Sequence, residues 1–178
     1  MPGGGKSTIG RHLAKRLDRD FVDSDAVIER HIGCSIRDFF SREGETRFRD
    51  IEQQLIAELA SKPDTVLATG GGVVLREANR RVLRSNTVVI YLRSTPEDLH
   101  RRLRHDAKRP LLQVTDPMKQ LREMHATRDP LYREVAHFII DTGRPTVPTL
   151  VNMVLMQLEL AGIVDAANIP SPIDSSAG

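Results

Sequence analysis

The chain has 178 residues, 39% of them hydrophobic, which suits one domain with a sizeable core. A net charge of +2, with 26 Lys and Arg against 24 Asp and Glu, is too balanced to argue for nucleic acid or an anionic membrane as partner. A single cysteine, Cys34, excludes an internal disulfide framework and fits a reducing, cytoplasmic compartment; no apolar run approaches the ~20 residues of a membrane span, and the N-terminus carries no apolar signal core.

Residues 1–7 read MPGGGKS, and behind Ser7 the residues Ile9, Leu13 and Leu17 recur every fourth position, which predicts a helix. A short strand follows around Phe21 and Val22 and runs into Asp23-Ser24-Asp25. The segment from Asp25 to about Arg42 has helical character interrupted at Gly33, where Cys34 reads as a small buried apolar side chain. From Glu45 the stripe Phe48, Ile51, Leu55, Leu59 predicts a second long helix, ended by Pro63. Thr65-Val66-Leu67-Ala68 is a short buried strand leading into Thr69-Gly70-Gly71-Gly72. A helix from about Glu77 to Arg84 precedes TVVIYL, Thr87 to Leu92, the strongest strand signal of the chain. Leu99 and Leu103 set a helix after Pro96, with Thr95 as its cap.

The stretch from Arg104 to Thr115 is aperiodic and predicts a loop, and loops of that length in compact domains are often lids. A helix from about Pro117 to Tyr132, a strand at Phe138-Ile139-Ile140 and a closing helix from Pro145 to Leu160 follow. Beyond Gly162 the composition turns to Ala, Ser, Pro and Gly, so residues 1–162 are expected to form the domain and 163–178 a disordered tail. Strands alternating with helices predict an α/β fold, a parallel sheet with helices on both faces, although only four strands can be counted.

Gly5-Lys6-Ser7 matches the end of a phosphate-binding loop, G-x-x-x-x-G-K-[ST]. Such a loop turns successive backbone N–H groups of Gly3, Gly4, Gly5 and their neighbours inward, at the positive end of the helix that follows. Lys6 can then reach β- and γ-phosphates, and the Ser7 hydroxyl can ligate magnesium. The helix that starts at Ser7 supplies the terminus this chemistry needs; the competing reading is a flexible glycine-rich arm. Counting back from Gly5 puts the first glycine of the pattern one residue before the sequence begins, and no apolar strand leads into the loop. The expectation is that the front of the loop is missing, from the molecule or from the gene model.

Asp23 and Asp25 lie two apart at a strand end, where ligand crevices of parallel sheets form. One carboxylate near magnesium and another accepting a hydroxyl proton is what phosphoryl transfer to an alcohol requires; a helix cap by Ser24 or Asp25 is the bland alternative. Arg49 and Glu52 are spaced i, i+3, either as a solvated ion pair or with Glu52 orienting Arg49 toward an anionic substrate. Three glycines in a row, Gly70-Gly71-Gly72, point to close approach of a ligand to the backbone. Arg109 sits in the predicted lid, where it can stabilise charge on a transferred phosphoryl group. Arg128, in Arg128-Asp129-Pro130-Leu131-Tyr132, falls near a predicted helix end, and the six histidines show no ligand spacing.

Taken together, GGGKST, FVDSD, FRDIE around Arg49, LATGGG, RPLL, RDPLY and TGRPTVPTLVN resemble the shikimate kinases, small P-loop kinases, over nearly the whole chain. The resemblance implies a three-layer P-loop kinase fold with strand order 2-3-1-4-5, of which strand 1 is the one missing here. It implies transfer of the ATP γ-phosphate to the 3-hydroxyl of shikimate with Mg²⁺, in a cytoplasmic monomer of aromatic amino-acid biosynthesis. Lys6 and the amides from Gly3 to Thr8 would bind phosphates, Ser7 would ligate the metal, and Asp23 would hold it through water. Asp25 would bind substrate hydroxyls and serve as base, Arg49, Arg128 and the Gly71 backbone would hold shikimate, Arg109 would close over ATP, and Arg144 would lie against adenine. Without its central strand the chain as written is expected to fold poorly or work weakly, and about ten upstream residues to restore it. Two alternatives stay open: another small-molecule kinase, such as a gluconate or nucleoside-monophosphate kinase, and a catalytically impaired nucleotide-binding chain. With no Trp and 4% aromatics to stack on a second base, the nucleoside-monophosphate reading is the weaker.

Overall fold

The computed structural model describes residues 5–103 and 116–165. In chain order the elements are α1 (Lys6–Leu17), β1 (Asp20–Asp23), α2 (Ser24–Ile32), α3 (Ile36–Leu59), β2 (Thr65–Ala68), a 3₁₀ turn (Val73–Leu75), α4 (Glu77–Asn86), β3 (Ile90–Arg93), α5 (Pro96–Leu103), α6 (Pro117–Val135), β4 (Phe138–Asp141) and α7 (Val147–Leu160). The expected lid from 104 to 116 and the tail beyond 165 lie outside the described residues, apart from Asp116, which caps α6.

The strands are parallel and pair two by two: β1 with β2, Asp20 opposite Thr65, and β3 with β4, Ile90 opposite Phe138. No strand among the described residues joins β2 to β3, so the sheet is divided down its middle.

Alternation along the strands sorts the core into layers. Val66, Ile90 and Leu92 face α1 and α7, joining Ile9, Leu13, Val151, Val154 and Leu158. Leu67 and Tyr91 face the other way, against Ile56 of α3, Leu83 of α4, Leu99 and Leu103 of α5 and Leu121 of α6. A third cluster, Ile28, Phe39, Phe48 and Leu55, ties α2 to α3. Cys34 is half-buried against that cluster rather than inside the core.

Several boundaries differ from the sequence reading for identifiable reasons. Gly33, at φ 71°, caps α2 by donating to the Glu29 carbonyl, as the break there requires. Beyond it α3 starts at Ile36 and is broken at Gly44, whose backbone (φ 80°, ψ 170°) is not helical, so its second half begins at Glu45 as the sequence predicts. The strand expected from Thr87 starts only at Ile90. Thr87 closes α4, giving its N–H and hydroxyl to the Leu83 carbonyl, and the Val89 carbonyl takes the amides of His137 and Phe138. Helix α6 runs through Pro130 to Val135 because burial of Tyr132 and Val135 outweighs the proline's cost.

Candidate active site

The C-terminal ends of β1 and β2 and the N-terminus of α1 converge on one cleft, because the register sets Asp23 beside Ala68. Gly5 enters α1 in the left-handed region (φ 73°), which only glycine adopts freely, and no side chain caps the first turn of α1. The positive end of the helix therefore faces the cleft with Lys6 and Ser7 on it.

Ser7 Oγ donates to Asp23 Oδ2 at 2.6 Å, across 16 residues of sequence. Asp23 Oδ1 accepts the Asp25 amide at 3.0 Å, so Asp23, not Ser24 or Asp25, caps α2. Ser24 is buried and its hydroxyl accepts the Gly70 N–H at 3.2 Å, tying β1 to the glycine turn. Asp25 stands half-buried in the first turn of α2. Burial raises its pKa above the ordinary 3.8, Asp23 and Glu29 add to the rise, and Lys6 and Arg49 oppose it.

Arg49 and Glu52 form an inward ion pair, Nη1 to Oε2 at 2.6 Å, with Glu52 only 2% exposed, so the solvated-pair reading does not hold. Glu45 holds the other edge of the guanidinium at 3.1 Å, and the Phe48 ring lies 5.2 Å below it. Burial raises the Glu52 pKa, against the lowering effects of Arg49 and Arg128. Arg128 lies in the body of α6, not at its end, close enough to Tyr132 to lower that residue's burial-raised pKa.

Gly70 and Gly72 make room for side chains of the protein itself. A Cβ on Gly70 would stand 2.6 Å from Asp25 Oδ1, and one on Gly72 2.6 Å from the Arg49 guanidinium carbon. Gly71 accepts a 2.5 Å hydrogen bond from Tyr132 through its carbonyl.

Arg144 is exposed in the bend between β4 and α7. Thr8 is exposed on α1, and Gly3, Gly4 and Arg109 lie outside the described residues. Among the described residues no three His, Cys, Asp or Glu side chains group as a metal site.

With this geometry in place, a family model described as shikimate kinase matches residues 2–159. The chain belongs to the shikimate kinase family. It is 57% identical over 172 residues to a shikimate kinase of Ralstonia nicotianae, covering 97% of this chain and 90% of that one. A shikimate kinase of Paracidovorax citrulli is 58% identical over 166 residues, covering 92% and 91%. The solved shikimate kinase of Acinetobacter baumannii, in complex with shikimate, superposes with a TM-score of 0.84 at 44% identity, covering 92% of this chain and 90% of that one.

Sequence reasoning on this shikimate kinase family member missed the support behind Arg128. Tyr132 stacks on Tyr91 with centroids 4.8 Å apart, and Tyr91 donates to Asp129 Oδ1 at 2.8 Å. Asp129 also takes Arg133 at 2.6 Å, which fixes the turn of α6 that carries Arg128. The i, i+4 spacing of Arg128 and Tyr132 was the available signal, since it puts both on one helix face. Also unforeseen is Arg102, which reaches the Thr142 carbonyl from α5 and joins the ends of β3 and β4.

Proposed function

We propose that the protein transfers the γ-phosphoryl group of ATP to the 3-hydroxyl of shikimate with Mg²⁺, acting in the cytoplasm as a monomer whose domain spans residues 1–162. The observation that carries the reading is the convergence of Arg49 and Arg128 with Asp25 and the glycine turn beside the first turn of α1. Two guanidinium forks suit a substrate carboxylate, and the Gly71 backbone adds a polar edge beside it. Glu52 and Glu45 hold Arg49 in orientation, so the carboxylate meets a prepared donor set.

Lys6 and the amides from Gly3 to Thr8 bind the ATP phosphates in this reading. Ser7 and Asp23 fit Mg²⁺, being hard oxygen donors already 2.6 Å apart, and a few protein ligands beside phosphate oxygens are what that ion takes. When bound, the ion supplies charge neutralisation on the phosphates. Asp25 accepts the proton of the attacking hydroxyl, and its raised pKa strengthens it as a base. Arg109 closes over the phosphates, and Arg144 lies against adenine. No helix among the described residues is long and apolar enough to cross a membrane.

The test is ATP turnover by the purified protein with shikimate, with gluconate, with a nucleoside monophosphate and with no acceptor. Turnover dependent on shikimate, with phosphorylation at its 3-hydroxyl, is expected. Turnover on another acceptor, or nucleotide binding without turnover, would replace this reading.

A further inference from the structure

The Tyr132 side chain is buried, and its hydroxyl donates to the Gly71 carbonyl at 2.5 Å, across 61 residues of sequence. A phenol carries one proton and two lone pairs, so the same oxygen can still accept. The Arg128 guanidinium, which can only donate, hydrogen-bonds that oxygen from one turn earlier in α6. Arg49 is also near enough for its charge to oppose the burial-driven rise in the phenol's pKa. That rise, from 10.0, keeps the phenol protonated at neutral pH, with a proton to donate. Holding the Gly71 carbonyl also orients the Gly72 N–H, which lies on the opposite side of the same planar trans peptide. Among the described residues neither the Gly71 nor the Gly72 N–H finds an acceptor in the protein. The turn is tied on either side of them, Gly70 N–H to the Ser24 hydroxyl at 3.2 Å and Val73 N–H to the Gly70 carbonyl at 3.3 Å.

We infer that Tyr132 is a positioning residue, whose hydroxyl locks the Arg128 guanidinium and the Gly71–Gly72 peptide into one donor set for the substrate carboxylate. The inference rests on the reading of the cleft as the shikimate site. A tyrosine with a structural task alone needs only its ring, which already stacks on Tyr91 at 4.8 Å. Both bonds of the hydroxyl go instead to groups of the cleft, one on α6 and one in the turn after β2. A free arginine side chain loses rotamer freedom when it grips an anion, and a bond that fixes the fork beforehand removes part of that cost. The carboxylate takes no part in the transfer, so its grip is equal in ground and transition states. The hydroxyl therefore acts on KM for the acceptor and hardly on kcat.

Tyr132→Phe keeps the ring and its stacking and removes only the hydroxyl oxygen. Expected is a rise in KM for shikimate of roughly five- to tenfold, with kcat and KM for ATP within about twofold of wild type. Leaving the Gly71 carbonyl unpaired should also lower Tm by about 2–6 °C. In an Arg128→Ala background the same substitution should raise KM by less than about twofold, because both changes remove one interaction. With no ligand present, hydrogen exchange at the Gly70 and Val73 amides should quicken by about fivefold or more relative to the Val154 amide of α7. A lowered Tm with KM unchanged would make the hydroxyl structural and overturn the inference. So would an undiminished effect in the Arg128→Ala background, or turn amides that exchange as in wild type. A wild-type chain that leaves shikimate unphosphorylated fails the reading of the cleft instead, and the ligand-free exchange then decides whether Tyr132 pins the turn.

Discussion

Glu52 holds Arg49 by a 2.6 Å contact between Oε2 and Nη1 while being itself almost wholly buried, at 2% exposure. A buried carboxylate is costly unless paired, so the pair is a positioning device rather than a stabilising one. Its burial-raised proton affinity is restrained first by the Arg49 hydrogen bond. Glu52→Gln keeps the volume and still accepts a hydrogen bond but loses the charge. Expected is a rise in KM for shikimate of roughly fivefold, at ~1 kcal/mol, with kcat changed less. An unchanged KM would mean Arg49 needs no such anchor.

Arg128→Ala is the cleaner test of the carboxylate grip, because Arg49→Ala would also strand the buried Glu52. Losing one charge-assisted pair costs ~1.5–3 kcal/mol, so KM for shikimate should rise roughly ten- to a hundredfold while ATP binding holds. Wild-type kinetics would make Arg128 an ordinary surface residue.

Gly72→Ala would put a methyl group 2.6 Å from the Arg49 guanidinium carbon, at a backbone (φ −88°) that alanine tolerates. The movable end of Arg49 is what must yield. Expected is a higher KM for shikimate with Tm within a few degrees of wild type. A large drop in Tm instead would show that the backbone, not Arg49, gives way.

Much of this was legible in the sequence because local signals and packing agree. The stripe Ile9, Leu13, Leu17 and the β-branched runs at β2 and β4 gave their elements nearly to the residue. Thr87 to Val89 misled because β-branched residues there are used for closing α4 and for receiving the turn before β4. The glycine triplet signalled close approach, but sequence has no way to say that Asp25 and Arg49 come near. The tyrosine pair behind Arg128 depends on contacts between β3 and α6, which no local period encodes.

Lys6→Ala and Arg109→Ala should separate within the phosphate machinery. Lys6 begins α1 and lies near enough to Asp25 to affect its ionisation, so its loss should abolish turnover. Arg109→Ala should lower kcat with a smaller effect on shikimate binding. Steady-state kinetics with shikimate and ATP varied separately checks both. Unchanged kcat in Arg109→Ala would remove that residue from the transition state.

Asp25 offers the sharpest separation of stability from activity. Burial and then Asp23 raise its pKa above 3.8, so folding disfavours its ionised form. The sign follows from proton counting: between 3.8 and the raised folded value the native state binds more protons than the unfolded one. The site's contribution to stability is thus fullest below 3.8 and is lost as pH rises through the folded value. Catalysis runs the other way, since a base must be ionised, and kcat should fall as pH drops through that same raised value. Asp25→Asn keeps the size, removes the repulsion from Asp23 and cannot take a proton. At neutral pH it should melt no lower than wild type while kcat falls by roughly 10²–10⁴-fold, the usual contribution of a general base. Its stability should also lose the decline with pH that begins near 3.8 in wild type. Melting curves and kcat measured on both proteins across pH check all three. A variant that keeps most of its kcat would leave Asp25 as part of the α2 terminus only.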